Sequence, residues 1–522
     1  VTVFGNYIGT NAAGTAALAG QPMGLRVFGS NCTIGGADAT TRNVISGNTS
    51  VGISLESPAA GCVVSANYIG VNSTGTAAVP NGGGVSLGGS NHTLGGDTAG
   101  ESNVISGNSQ GGVSVSGTGH LIRGNYIGTN AAGTAALANG GIGIRVLAAS
   151  GVTIGGTAAG EGNLVSGNGS DGIVTDGASS AVTIQGNKVG TNAAGTAAIP
   201  NQSGVVLDGD GHMLGGGSAA ARNLVSGNSS HGVVLAGSGL VVRGNYVGTD
   251  AAGNAALANG GFGLRGYGET ACEIGGPAAA DGNVIAGNVR SVSFEQGATG
   301  NVMRNNILGL NAAATADLAD TGSGIEVYSP GNTIGTPGAG NVIAGFTYQG
   351  ITLSGAATSG NVIQGNWIGT NPALAPGLGN AQLGIYVLDA AGNKIGGTAA
   401  GEGNVIANNG FIGLWVEHGD RNEISGNSIF GNALLGIDIG EQGIAPNDGG
   451  DGDGGGNRNQ NYPLISSAVA GGGVTTIQGL LINEPNTEYR VEFFSSPVCS
   501  PTGFGEGRTF PGSTLVTTGG GG

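Results

Sequence analysis

Short apolar pulses separated by Gly- and Asn-rich corners run along nearly the whole chain. Three kinds recur in fixed order. The first is Gly-Ile-x-Val, as in Gly52-Ile53-Ser54-Leu55, Gly143-Ile144-Arg145-Val146 and Gly324-Ile325-Glu326-Val327. The second is Thr-Ile-Gly, as in Thr33-Ile34 and Thr153-Ile154, with Lys394-Ile395 as a variant. The third is Asn-x-Ile. Each alternates apolar and polar positions with a period of two, which predicts β-strands. None is long enough for a helix, and the glycines inside would weaken one by about 1 kcal/mol each.

The pulses belong to a long repeat. Asn-x-(Ile/Val/Leu)-Gly stands at Asn6, Asn67, Asn125, Asn187, Asn245, Asn306 and Asn366, with a variant at Asn427, spaced 58 to 62 residues apart. Midway lies Asn-(Val/Leu)-(Ile/Val)-(Ser/Ala)-Gly-Asn at Asn43, Asn103, Asn163, Asn223 and Asn283, continued at Asn341 and Asn404. The combined marks alternate gaps of about 36 and 23 residues, so the unit is one long and one short turn. Three strands per turn with Gly and Asn corners describe a rung of a parallel β-helix. About 15 such rungs at a strand spacing of about 4.8 Å predict a rod roughly 70 Å long.

Stacking dictates the physics of such a rod. An inward column such as Ile8, Ile45, Ile69, Ile105, Ile127, Val165 and Val189 is buried only when rungs above and below cover it. The Asn marks suit positive-φ corners and amide ladders between rungs. They are read as structural. Crossover chirality favours a right-handed coil. Long turns carry two insertions. One is Thr129-Asn-Ala-Ala-Gly-Thr-Ala-Ala-Leu-Ala-Asn139, with counterparts from Thr10, Val71, Thr191, Thr249, Leu310 and Thr370; the other is Thr157-Ala-Ala-Gly-Glu-Gly162. Recurring every second rung, they should stack as two ridges with a pitch of about 9.6 Å, giving a flat, weakly polar surface.

Composition narrows the classes. Gly supplies 115 of 522 residues, charged residues are 9% and hydrophobic residues 39%. Collagen is excluded because Gly keeps no triplet period, and the hydrophobic content argues against disorder. No run of 18 apolar residues offers a membrane span. The net charge of −16, with Lys188 and Lys394 the two lysines, argues against a nucleic acid partner. Val1-Thr-Val-Phe-Gly-Asn-Tyr-Ile-Gly9 reads like Val182-Thr-Ile-Gln-Gly-Asn-Lys-Val-Gly190, so the chain is expected to start inside a unit of a longer protein.

Gly124-Asn-Tyr-Ile-Gly-Thr-Asn-Ala-Ala-Gly-Thr-Ala-Ala-Leu137 and Gly160-Glu-Gly-Asn-Leu-Val-Ser-Gly-Asn168 resemble the repeats of right-handed parallel β-helix proteins common among large secreted or surface bacterial proteins. The stretch from Gly436-Ile-Asp-Ile through Asn461-Tyr-Pro463 to Gly503-Phe-Gly-Glu-Gly507 is similar to segments that follow such rods. The resemblance covers nearly the whole chain and implies architecture, with no established activity attached.

Three regions are expected: a parallel β-helix over 1–445, a Gly/Asp/Asn-rich acidic loop over 446–461, and the start of an antiparallel β-sandwich over 462–522. The acidic loop places Asp448, Asp451 and Asp453 within six residues, with Asn457 behind. Oxygen ligands on a Gly-rich loop suit calcium, the one cofactor considered. Cys32 and Cys62 share a corner on successive rungs, a separation inside the disulfide range, so a bridge between them is expected in an extracellular setting. His92 and His120 share that corner too, and His212 of Asp208-Gly-Asp-Gly-His212 falls at the same turn position; all are read as corner variations.

The outward residues of the Gly-Ile-x-Val pulse form a column that ends Glu326, Thr352, Tyr386, Trp415, Asp438. It offers no carboxylate pair on adjacent rungs for acid–base work, and no catalytic residue is assigned. Tyr386 and Trp415, with Glu417 nearby, offer a carbohydrate-stacking platform. The expected function is a secreted or cell-surface structural or adhesive solenoid: a stalk, adhesin or extracellular-matrix component. Its ridges would make weak multivalent contacts with a surface glycan, an extracellular polysaccharide or sister rods. The alternative is a polysaccharide lyase, a glycoside hydrolase or a carbohydrate-binding module.

Overall fold

A computed structural model describes residues 1–18, 20–500 and 502–522. The chain divides into two compact units, Val1–Asp320 and Thr321–Gly522. Each contains parallel β-helix rungs of three sheets, and the second also carries two antiparallel two-stranded sheets. The first sheet holds the Gly-Ile-x-Val strands, the second the Thr-Ile-Gly strands and the third the Asn-x-Ile strands.

In Val1–Asp320 every strand pairs in parallel with the equivalent strand of the neighbouring rung. Ile144 faces Ile173, Ile154 faces Ile184 and Ile127 faces Val165 across successive rungs. This in-register stacking places like side chains above like, so the inward column is fully buried from Ile34 and Ile45 to Ile285 and Leu308. The expected strands and aliphatic column are thus present.

The Asn marks form a ladder. Asn163 Nδ2 donates to Asn187 Oδ1 at 2.9 Å, Asn187 Nδ2 to Asn223 Oδ1 at 3.0 Å, and Asn223 Nδ2 to Asn245 Oδ1 at 2.9 Å. A second ladder runs at another corner. Asn48, Asn81, Asn108 and Asn139 hand the same bond along at 2.7 to 3.0 Å. It continues through Asn259 and Asn288 to Asp320, whose carboxylate accepts the N–H groups of Gly287 and Asn288 at 2.8 and 3.0 Å.

The long insertions do more than present a surface. The six from Thr10 to Leu310 are each closed by a backbone bridge such as Thr129–Ala136 or Thr191–Ala198. The N–H groups of Ser73, Ala131, Ala193, Ala251 and Ala312 donate to the carbonyls of Gly14, Gly75, Gly133, Gly195 and Gly253 at 2.9–3.0 Å, so each loop is bonded to the loop two rungs away. Beneath them lies the outward face of the third sheet, which is apolar. Val44, Tyr68, Val71 and Val104 pack with Tyr126, Ala131 and Leu137. Val284, Ala286 and Leu318 pack with Tyr246, Ile307 and Ala312. The ridge is therefore also a cover over a second hydrophobic layer, beneath an outer face of exposed Ala132, Thr134 and Ala135. The loop alanines supply the methyl groups that close it.

The expected bridge between Cys32 and Cys62 is not formed; both are free thiols. Their sulfurs both lean toward the Gly29 carbonyl, at 3.4 and 3.3 Å, and Cys62 Sγ accepts the Cys32 N–H at 3.4 Å. In-register stacking gives neighbouring corner side chains the same heading, so the thiols serve the backbone. The histidines behave likewise. Cys62 N–H donates to His92 Nδ1, His92 N–H to His120 Nδ1 and Val182 N–H to His212 Nδ1, at 3.1 to 3.2 Å. The second ring nitrogen of each meets a backbone carbonyl, of Gly88, Ser116 and Asp208 respectively. Both nitrogens are thus engaged, which leaves these rings as corner pieces.

Glu269 is the exception among the corner residues. It is fully buried where neighbouring rungs carry Gly237 and Ala298. Oε1 takes a bond from Asn301 Nδ2 at 3.3 Å, while Oε2 has no partner among the described residues. Burial pushes its carboxyl up to about 8, with the Glu295 charge a smaller contribution. A raised folded-state value means the folded state holds a proton that the unfolded chain has released. Stability therefore falls as pH rises from the ordinary carboxyl range toward 8. Glu269→Gln should raise the thermal midpoint more at pH 8 than at pH 4. An equal shift at both pH values would contradict a neutral Glu269.

In Thr321–Gly522 the first sheet holds Ile325–Val327, Ile351–Ser354, Ile385–Leu388, Leu414–Val416 and Ile437–Ile439. The last rungs are closed by the chain that follows. Glu506 accepts the N–H groups of Gly431 and Asn432 and the Asn432 amide at 2.7 to 3.0 Å, taking the next place in the ladder Asn380–Asn409–Asn432. Glu492 accepts Gly426 N–H at 2.8 Å. Stacked strands end in unpaired donors, and these carboxylates satisfy them. The antiparallel strands expected beyond residue 462 are two two-stranded sheets, Leu464–Gly471 with Val474–Leu480 and Glu488–Ser495 with Thr509–Thr517. Among the described residues no helix is long and apolar enough to cross a membrane.

Candidate functional site

The strongest site lies within Thr321–Gly522, on the outward face of the first sheet. Tyr386 and Trp415 are register partners on adjacent strands. Period-two alternation buries Ile385, Val387, Leu414 and Val416 and forces the two rings outward. They lie 5.4 Å apart between centroids and are tilted by 38°. Each is tied down: Trp415 Nε1–H donates to the Gly440 carbonyl at 3.0 Å, and the Tyr386 hydroxyl donates to Glu417. Burial, then the Glu417 hydrogen bond and the charges of Glu417 and Asp389, push the Tyr386 phenol well above its usual value.

The rings form part of a cleft of about 410 Å³, lined by Gln349, Ala381, Gln382, Leu383, Gly410 and Phe411 besides the two aromatics. Gln349, Gln382 and Phe411 sit on three successive rungs, just before the first-sheet strand. Gln349 Nε2 donates to Gln382 Oε1 at 3.4 Å, and Ser323 Oγ donates to Gln349 Oε1 at 3.1 Å. A tilted aromatic wall faces a row of side-chain amides. Such a combination can stack the apolar face of a ring and hydrogen-bond its hydroxyls.

Tyr386, Trp415 and Glu417 are therefore brought together as expected from the sequence. The amide row was not anticipated. Gln349 stands two residues before Ile351 and Gln382 three before Ile385, so no constant offset marks the pair in the sequence. On the same column Asp438 stands opposite Trp415 and accepts Gly443 N–H at 2.9 Å. Burial raises its carboxyl. His418 lies 3.6 Å from Asp389.

The acidic loop gathers its three aspartates: ligand oxygens of Asp448, Asp451 and Asp453 lie within 4.8 Å of one another. Asn461 clasps the loop, donating its N–H to Asp451 Oδ1 at 2.7 Å and accepting Asp448 N–H at 2.9 Å. Asp451 is buried, and burial followed by the charges of Asp448, Asp453 and Glu484 raises its carboxyl. Asn457 is placed elsewhere. Its Oδ1 accepts Asn422 N–H at 2.9 Å and its Nδ2 donates to the Asn422 carbonyl at 2.8 Å, ending a third corner ladder. Its spacing suggested a ligand, but its side chain serves the last rung.

A family model described as a right-handed β-helix region matches residues 79–247. With the three-sheet coil, this bears out the parallel β-helix repeat and supplies its hand. No curated protein matches the chain. Among solved structures, an alginate lyase in complex with G6 is similar at 10% identity and a TM-score of 0.29, over 72% of this chain and 80% of that one. The A-module of an Azotobacter vinelandii mannuronan C-5 epimerase is similar at 16% identity and a TM-score of 0.23, over 75% and 86%. At these values neither assigns a substrate to this chain.

Proposed function

We propose that the chain is an extracellular or cell-surface solenoid, working as a stalk, adhesin or matrix component, that engages polysaccharide through the Tyr386–Trp415 cleft. The observation that carries this reading is the cleft: two immobilised rings facing the Gln349–Gln382 row. Rigidity supports it, because each ring is fixed by its own hydrogen bond and little ordering remains to be done on binding. The ridge loops add outward Ala and Thr side chains for repeated weak contacts.

The test is direct binding to a polysaccharide panel by affinity electrophoresis and calorimetry. Trp415→Ala should weaken binding about tenfold or more, since it removes the larger stacking surface. Retained affinity in Trp415→Ala would remove the cleft from the account. The enzymatic alternative rests on the Tyr386–Glu417 pair, a phenol and carboxylate in contact. It predicts new reducing or unsaturated ends on incubation with a polysaccharide, lost in Glu417→Gln.

The aspartate loop is proposed as a calcium site. Three carboxylates within 4.8 Å repel one another, and a divalent cation relieves that repulsion. Calcium should raise the unfolding midpoint, with a gain of about 2.7 kcal/mol at a hundredfold excess over its Kd. Asp451→Asn should abolish the shift. A midpoint indifferent to calcium in the unsubstituted protein would remove the site.

A further inference from the structure

Building on the glycan-binding reading, we propose that the cleft selects an uncharged polysaccharide lying along the coil axis and excludes polyuronates. Its lining holds amides, aromatic rings and aliphatic groups, with no Lys or Arg among the described residues. The ionisable groups against the aromatic pair are acids. Glu417 is bonded to Tyr386, Asp438 stands opposite Trp415, and the Asp389 charge acts on Tyr386. The basic side chain that meets these acids, His418, leans on Asp389 rather than on the rings.

A polymer bearing a carboxylate on every residue would bring its charges toward these acids with no cation to receive them, in a half-enclosed site where repulsion is less screened than in bulk water. Hydroxyl groups meet no such obstacle. They both donate and accept, as do the side chains of Gln349 and Gln382, whereas a carboxylate only accepts.

The direction of the chain follows from register. Tyr386 and Trp415 occupy successive rungs, as do Gln349 and Gln382. Both rows therefore run along the axis, at about 4.8 Å per step. Thr352 pairs with Tyr386 from the preceding rung and is the next outward position of the same row.

The experiment measures binding of the full chain to polygalacturonate, to the same polymer after reduction of its carboxyl groups, and to neutral glucan and mannan. The expected result is binding of at least one uncharged polymer, with polygalacturonate weaker than its reduced form by about tenfold or more. Glu417→Gln should narrow that gap, and raised salt should narrow it too. Thr352→Trp adds a ring to the row and should tighten the uncharged polymer several-fold. Polygalacturonate that binds as well as its reduced form, and is lost in Trp415→Ala, would overturn the charge selection while leaving the glycan-binding reading intact. An unchanged affinity in Thr352→Trp would overturn the axial placement. No binding by any polymer would overturn both readings.

Discussion

Asn187→Ala should lower the stability of Val1–Asp320 by about 3–5 kcal/mol, a cost at the upper end for a single substitution. The side chain is a junction. Nδ2 donates to the carbonyls of Ile154 and Gln185 at 2.9 Å and to Asn223 Oδ1 at 3.0 Å. Oδ1 accepts both Asn163 N–H at 3.0 Å and Asn163 Nδ2 at 2.9 Å. A methyl group in its place strands buried donors and acceptors on two neighbouring rungs, at about 1–3 kcal/mol for each group left unsatisfied. Asn187→Asp separates the two halves of the role. It retains the acceptor but turns an oxygen toward the Ile154, Gln185 and Asn223 oxygens, unlike Asp320, both of whose oxygens accept N–H groups. It should cost at least as much as Ala at neutral pH and less in acid, where the carboxyl is protonated. Because each rung leans only on its neighbours, the damage should appear as an early transition in hydrogen exchange near residues 154–190. Urea unfolding that shows Asn187→Ala as stable as the parent would mean the ladder follows the stacking rather than supports it.

Gly155→Ala should be comparably damaging, for a different reason. Gly155 has φ +86°, and a Cβ there would sit 1.9 Å from the Gln185 carbonyl oxygen and 2.7 Å from the Asn187 side chain. Such contact forces neighbouring rungs apart at the point where their strands are in register, and a loss of about 4 kcal/mol or more is expected. Gly151 supplies the control. Its φ is +62°, yet a Cβ would meet nothing within 4 Å, so Gly151→Ala tests left-handed strain alone at about 1–2 kcal/mol. Paired urea melts decide between the two effects. Equal losses would show that backbone strain, not rung contact, sets the requirement for glycine in the Thr-Ile-Gly strands.

The candidate site was partly legible before the structure. Tyr386 and Trp415 could be placed on one column because both fill the outward position of the same pulse, and Glu417 lies two residues beyond Trp415. Gln349 and Gln382 precede the strand in corners of varying length, so no periodic argument put them across from the rings. The aspartate cluster was legible from local spacing. Local spacing says nothing of Asn457, because its partner, Asn422, lies 35 residues earlier.

The sequence by itself determined the parallel β-helix, the three strands per rung, the inward aliphatic column and the Asn ladder of residues such as Asn163 and Asn187. It could do so because stacking converts neighbours in space into equal offsets along the chain, and a repeated offset is visible in one dimension. Only the tertiary structure decided that the Ala-rich insertions close over Tyr68 and Val104, that the Cys32 and Cys62 thiols serve the backbone, that Glu269 is buried with one oxygen unpartnered, and that Glu506 ends a ladder begun by asparagines. Each of these depends on where a side chain points or on a contact made once between distant segments, and neither leaves a period for the sequence to reveal.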